Sequence, residues 1–421
     1  MDSFAYKNDR LMVEQVSLEQ VARDLGTPFY VYSRAMIEYQ WHAYDDAFGG
    51  RNHLVCYAVK ANSNLAVLKL LADMGSGFDL VSGGELERVL RAGGKPENIV
   101  FSGVGKTEVE IRRALEVGIG CFNVESASEL VRLDQIAREM NCVAPVALRV
   151  NPDVDPNTHP YISTGLRENK FGIPIEDAFD LYQQAAQSQG LDVKGLACHI
   201  GSQLTDIDPF IETLERATSL VGELDDAGIE LRTIDLGGGL GITYYDESPP
   251  DPDDYITELM DHFQSLGSRY QKMRVIIEPG RSIVGNAGAL ISRVEYLKNG
   301  EEHNFVVIDA AMNDLLRPTL YDAWQEIVPV VRKPDLQSDI YDVVGPICET
   351  GDFLGKEREL AVEEDDLVAI LSAGAYGFTM SSNYNTRPRV PEVLIDGDQY
   401  FVVRRRETVD DLLGPESFVP E

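Results

Sequence analysis

The chain has 421 residues, of which 44% are hydrophobic and 25% charged, a balance too apolar for a disordered chain. Its length calls for two domains. Asp and Glu outnumber Lys and Arg by 70 to 37, giving a net charge of −33, and such a surface repels nucleic-acid phosphates and anionic lipid.

Only 11 of the 37 basic residues are Lys, and the acidic residues are spread along the chain without forming a tail. This composition suits a salt-rich cytoplasm, where screening suppresses self-repulsion; an ordinary acidic enzyme is the alternative. No run approaches the roughly 18 apolar residues of a membrane helix, and MDSFAYKNDRLMVEQV has no apolar export core, so neither a membrane span nor export is expected. Cys56, Cys121, Cys142, Cys198 and Cys348 are odd in number and contain no CxxC pair. They suit a reducing cytoplasm and argue against a disulfide framework or a zinc site. The six histidines show no HxH or HxxxH spacing, and no metal site is expected.

In chain order, eight apolar or β-branched runs recur: LVCYAV (54–59), FDLVS (78–82), IVFSG (99–103), CFNVES (121–126), PVALRV (145–150), LACHIG (196–201), TIDLGG (233–238) and VIIEPG (275–280). Segments of helical period lie between them, such as Asn64–Ala72 and Glu85–Ala92. Eight β-then-α units predict a TIM (β/α)8 barrel over residues 34–283. Beyond it come strand-like runs without helical stretches between them: ALISRVEYL, NFVVIDA, IYDVVGPI, DLVAILSA, PEVLID and QYFVVRR. They predict a second, all-β, β-barrel-like domain over 284–421, with residues 1–33, which end in the strand-like PFYVYS, added to it.

Barrel chemistry sits at the C-terminal ends of the strands. There this sequence places Lys60, Asp79, Arg149, His199, Ser202, the run Gly237–Gly239, and Glu278 followed by Pro279, Gly280 and Arg281. Taken singly, Lys60 reads as a solvated strand end, the glycines as a tight turn and His199 as a core histidine. Pyridoxal 5′-phosphate would use them together, through a Schiff-base lysine, a phosphate cradle, a carboxylate facing the ring nitrogen and a flat group stacked on the ring.

With YAVKAN, HIGSQ, GGG and EPGR in place, the chain resembles the fold-type III pyridoxal-phosphate-dependent decarboxylases, most closely the branch that takes meso-2,6-diaminopimelate to L-lysine and CO2. NPDVDPNTHPYISTGLRENKFG (151–172), MNDLLRPTLYDAW (312–324), GPICETGD (345–352) and SAGAYGFTMSSNYNTRPR (372–389) carry the resemblance over nearly the whole chain. It implies Lys60 as the Schiff-base lysine, His199 as the ring-stacking residue and Glu278 as partner of the pyridine nitrogen. Asp79, Arg149, Ser202, Gly238, Gly239 and the segment Glu278, Pro279, Gly280, Arg281 are implied to bind cofactor. Arg281, Arg317, Tyr321 and Tyr376 are implied to hold substrate, Tyr376 also reaching the cofactor. Cys348 is implied to return the proton to Cα and Glu349 to grip the distal ammonium.

A homodimer with shared active sites is implied as well. Arg317 and Tyr321, four apart, would share one face of a helical turn. A decarboxylase of ornithine, arginine or another basic amino acid is the alternative. Such substrates lack the distal carboxylate that Arg317 would meet, and the diamine branch places Asp where this chain has Glu349.

Overall fold

A computed structural model describes residues 3–154, 170–301 and 303–420. The chain divides into two compact units: Gln40–Ile242 with Ser248–Ser282, and Met1–Tyr39 with Thr243–Glu247 and Ile283–Glu421.

The first unit is a closed barrel of eight parallel strands: β1 (His53–Ala58), β2 (Gly77–Leu80), β3 (Ile99–Phe101), β4 (Cys121–Val124), β5 (Ala144–Asn151), β6 (Leu191–Ala197), β7 (Thr233–Asp235) and β8 (Arg274–Ile277). Each predicted run supplies one strand. Neighbours pair in chain order, and β8 closes on β1 through Val275–His53, Ile276–Leu54 and Ile277–Val55. Helices α1 (Leu65–Asp73), α2 (Gly83–Ala92), α3 (Glu108–Val117), α4 (Ala127–Glu139), α5 (Ile175–Gln187), α6 (Asp208–Asp226) and α7 (Pro252–Ser265) follow β1 to β7 in turn.

Local chemistry sets several helix starts. Ser82 and Ser126 accept N-terminal amide protons of α2 and α4, and Thr107 with Glu110 forms a reciprocal cap on α3. Gly118, at φ +73°, ends α3 in the left-handed conformation.

The two-residue alternation of a strand explains how the barrel interior changes character along its axis. Leu54, Cys56, Val100 and Ile276 form one buried apolar cluster, and Cys121, Ala147 and Ala197 form another. One pleat further on, Val100 gives way to Ser102, Cys121 to Asn123, Ala147 to Arg149, Ala197 to His199 and Ile276 to Glu278. An apolar floor therefore carries a polar layer at the strands' C-terminal ends.

The second unit is built on a mixed sheet ordered 353–360, 339–344, 304–308, 288–299, 29–33, 392–396 and 399–404, with 367–370 also pairing to 288–299. The buried strand Phe29–Ser33 lies antiparallel to Gly288–Asn299 and parallel to Glu392–Asp396, which ties the N-terminal segment into this sheet. Phe29, Val31, Ala289, Ile291, Val393 and Ile395 share its core. Phe353–Leu360, sequence FLGKEREL, lacks the apolar texture of the predicted strands because it pairs on one side only and carries its charges at the sheet edge. The unit also holds one eight-residue helix, Leu18–Leu25.

Candidate active site

The polar layer surrounds a cavity of about 410 Å³ whose walls include Lys60, Arg149, His199 and Glu278. Lys60 lies two residues past the end of β1, in the helical turn Val59–Ala61, and its ammonium pairs with the carboxylate of Asp79, which is wholly buried on β2. Arg149, at the end of β5, donates to Glu125 at 3.0 Å and lies over the Phe171 ring at 4.9 Å. Glu125 also accepts from Gly103 N at 2.8 Å and Gly172 N at 3.0 Å, so the guanidinium is anchored by a carboxylate that also holds two loops.

The glycine run serves close packing of strand ends. A Cβ on Gly238 would sit 2.1 Å from the Glu278 carbonyl oxygen, and one on Gly237 would sit 2.6 Å from that of Cys198. Only glycine lets the chain leaving β7 pass this close to β6 and β8. Glu278 N donates to Gly237 O at 2.8 Å, which fixes the backbone from which the Glu278 carboxylate projects. Gly238 N donates to His199 Nδ1 at 3.3 Å, so the neutral imidazole carries its proton on Nε2. Arg281 Nη2 donates to Ser202 Oγ at 3.1 Å.

Three acidic side chains share this layer. Asp235, on β7, accepts from Gly237 N at 2.9 Å and from Asn123 Nδ2 at 3.2 Å. Burial carries its carboxyl up to about 6. Glu278 is raised well above the usual carboxylate range, first by burial and then by the charges of Asp235 and Asp79, with Lys60 opposing. His199 is held well below the usual imidazole range by burial, then by Arg149 and Lys60, and so is a neutral plane at physiological pH.

Glu278 Oε1 and Asp79 Oδ1 are buried and accept no hydrogen bond among the described residues, although such acceptors are ordinarily matched. A pyridinium N–H would supply the positive charge that favours the ionised form of Glu278 against burial and its acidic neighbours, and Lys60 and His199 line the same cavity. The residues present fit pyridoxal phosphate.

The second unit holds the other predicted residues. Arg317 and Tyr321 bound the short helix Arg317–Tyr321, and the buried Arg317 guanidinium lies 4.3 Å from the centre of the Tyr244 ring. Cys348 is exposed, and its backbone N–H donates to Asn385 Oδ1 at 2.9 Å. Glu349 accepts from Tyr384 Oη at 3.5 Å. Tyr376 holds φ at +55°, an uncommon conformation for a bulky side chain. Of the 151–172 motif, residues 155–169 lie outside the described residues.

All five cysteines are free. Burial lifts Cys121 and Cys198 to about 12, which quiets their thiols. The sequence reading did not single out Asp235, Asn123 or Glu125. The two-residue count along the strand runs that reaches Arg149 and Glu278 also reaches Asn123 and Glu125, whereas Asp235 pairs in register with Ala197 and Ile276 and carries no such local signal.

The model of the pyridoxal-dependent decarboxylase family, pyridoxal binding domain, matches residues 34–285. The chain belongs to the family of pyridoxal-dependent decarboxylases, whose cofactor is pyridoxal phosphate. It is 58% identical over 421 residues to the diaminopimelate decarboxylase of Pseudomonas aeruginosa, covering 100% of both chains, and 56% identical to that of Vibrio cholerae at the same coverage. Among solved structures, diaminopimelate decarboxylase from M. jannaschii in complex with L-lysine is 40% identical with a TM-score of 0.95, covering 100% of this chain and 98% of that one. The Helicobacter pylori enzyme complexed with L-lysine is 42% identical with a TM-score of 0.90, covering 94% and 98%. Among the described residues no helix is long and apolar enough to cross a membrane.

Proposed function

We propose that this protein decarboxylates meso-2,6-diaminopimelate to L-lysine and CO2, the closing step of lysine formation, in the cytoplasm. The observation that carries the reading is the cluster of Lys60, Asp79, His199 and Glu278 at one barrel mouth, in a chain whose full-length relatives carry that name. The cofactor-binding domain is read as 34–283 and the β-rich domain as 1–33 with 284–421; the family match over 34–285 supports the first.

Pyridoxal phosphate, when bound, supplies a sink for the electron pair released as the Cα–carboxylate bond breaks. Lys60 would hold it covalently. Glu278 would keep a proton on the pyridine nitrogen, and neutral His199 would offer a flat, uncharged surface to the ring. Ser202, Gly239, Gly280 and Arg281 would present hydroxyl, amide and guanidinium groups to the phosphate. Gly238, whose N–H is engaged by His199, and Pro279, which has none, would shape the backbone beside it, and Asp79 and Arg149 would orient groups around it.

The substrate has two amino-acid ends, so the remote end must be desolvated and paired while the near end reacts. Arg281, Arg317, Tyr321 and Tyr376 hold it, the arginines offering charge-assisted forks to carboxylate, and Tyr376 also reaches the cofactor. Glu349 neutralises the distal ammonium. Cys348 returns a proton to Cα after CO2 has left.

Cys348 and Glu349 serve the site of a second copy in a homodimer, so that each site draws on two chains. Their exposure on their own unit supports this reading. The acidic surface is an adaptation to a salt-rich cytoplasm; a melting temperature that did not rise from low to molar KCl would speak against it. The decisive experiment measures CO2 and lysine from meso-diaminopimelate beside ornithine and arginine. Turnover of diaminopimelate alone is expected, and preference for ornithine or arginine would overturn the assignment.

A further inference from the structure

We propose that Tyr244 is a positioning residue that holds the Arg317 guanidinium in place to fork the distal carboxylate, and thereby sets the preference for substrates bearing that group. The inference rests on the reading of Arg317 given above.

Tyr244 and Arg317 belong to the same unit, although 73 residues separate them in the chain. The guanidinium carbon lies 4.3 Å from the ring centre, and the two residues are 6% and 7% exposed. A guanidinium has an apolar, weakly hydrated face and an edge of N–H donors. A ring seated against the guanidinium attracts it, keeps water from that side and leaves the N–H groups turned away from the ring as the route to an anion. Swinging the guanidinium off the ring forfeits this contact, so the ring supplies the preorganisation that a long, rotamer-rich side chain lacks.

The segment carrying the ring is itself fixed. Glu247 Oε2 accepts from Tyr244 N at 2.9 Å and from Tyr245 N at 2.8 Å, and Thr243 Oγ1 donates to Glu247 O at 2.8 Å. The turn thus closes around its own carboxylate. Burial raises the Glu247 carboxyl, but the Tyr245 and Tyr244 amides and the charge of Arg317 outweigh it and hold the group below its usual range. Glu247 therefore stays ionised and the turn stays shut at neutral pH.

The test is a kinetic cycle with meso-diaminopimelate on holoenzyme. Tyr244→Leu and Tyr244→Met remove the ring and keep apolar bulk; Tyr244→Phe keeps the ring and removes only the hydroxyl. The ringless variants should raise KM about tenfold with kcat within about twofold of the parent, and Tyr244→Phe should restore KM to within about twofold. In an Arg317→Ala background, loss of the ring should add less than about twofold, because the group it orients is gone. Melting temperatures establish which variants are folded, and one folded ringless variant suffices.

An unchanged KM without the ring overturns the proposal. So does a rise of full size that persists in the Arg317→Ala background, which would mark general packing, or a fall confined to kcat. An Arg317→Ala enzyme with the parent's KM would instead overturn the role of Arg317, and is recognised without reference to any Tyr244 variant.

Discussion

Arg281 and Ser202 are joined by a 3.1 Å hydrogen bond from Nη2 to Oγ, linking the segment after β8 to the loop after β6. Both are read as cofactor-binding, Arg281 also as substrate-binding. A hydrogen bond to a charged group contributes about 1.5–3 kcal/mol. Ser202→Ala should therefore weaken retention of pyridoxal phosphate by about tenfold or more, measured by dialysis and cofactor fluorescence. Undiminished retention would remove Ser202 from the cofactor site.

Lys60 should carry the cofactor covalently. Borohydride reduction followed by peptide mapping should place the adduct on Lys60, and Lys60→Ala should abolish it together with nearly all activity. An adduct on Lys106 would be unexpected, since that ammonium is buried and held by Gly103 O, Asn123 O and Glu129.

Arg317 is read as the partner of the distal carboxylate. Truncating one side of a buried charge-assisted pair costs about 2–5 kcal/mol, so Arg317→Ala should lower kcat/KM for meso-diaminopimelate by about 30-fold or more. Parent-like kinetics would show that the distal carboxylate is recognised elsewhere.

Asp235 gives a pH-dependent prediction for protein stripped of cofactor. Folding raises its carboxyl from 3.8 to about 6, chiefly by burial. A raised carboxyl favours the protonated form, so its stabilising contribution is complete below the unfolded value of 3.8 and is lost as pH rises through about 6. Asp235→Asn cannot ionise and escapes this loss. The urea midpoint of the variant relative to the parent should therefore move in the variant's favour between about pH 4 and about pH 7. A flat or opposite difference would contradict a raised carboxyl.

Sharing of sites between two chains can be read by complementation. Refolding Lys60→Ala with Cys348→Ala should make about half the dimers hybrids, each with one site bearing both lesions and one bearing neither, so activity should recover to roughly 25% of the parent's. Confirmed hybrids no more active than the mean of the two variants would place both residues in one chain's site, or take Cys348 out of the reaction.

The eight barrel strands were legible in the sequence because each is a short apolar run ended by a turn, and the two-residue period of a strand carries Cys121 to Asn123 and Ala147 to Arg149 without reference to any other part of the chain. The motifs around Lys60, His199 and Glu278 were legible too, since their residue types suit one cofactor. Tertiary structure alone decided which side chains meet. Gly238 reads as a turn residue until the Glu278 carbonyl is found where its Cβ would stand. Asp235 reads as one polar residue in a strand until closure of the sheet buries it in one layer with Glu278 and Asp79. Tyr244 and Arg317 share no local pattern, and only the fold lays the ring under the guanidinium. Periodicity reports the face a residue turns toward its own element's neighbours; contact between distant segments, and the shift of a buried charge, depend on closure and desolvation that no local window contains.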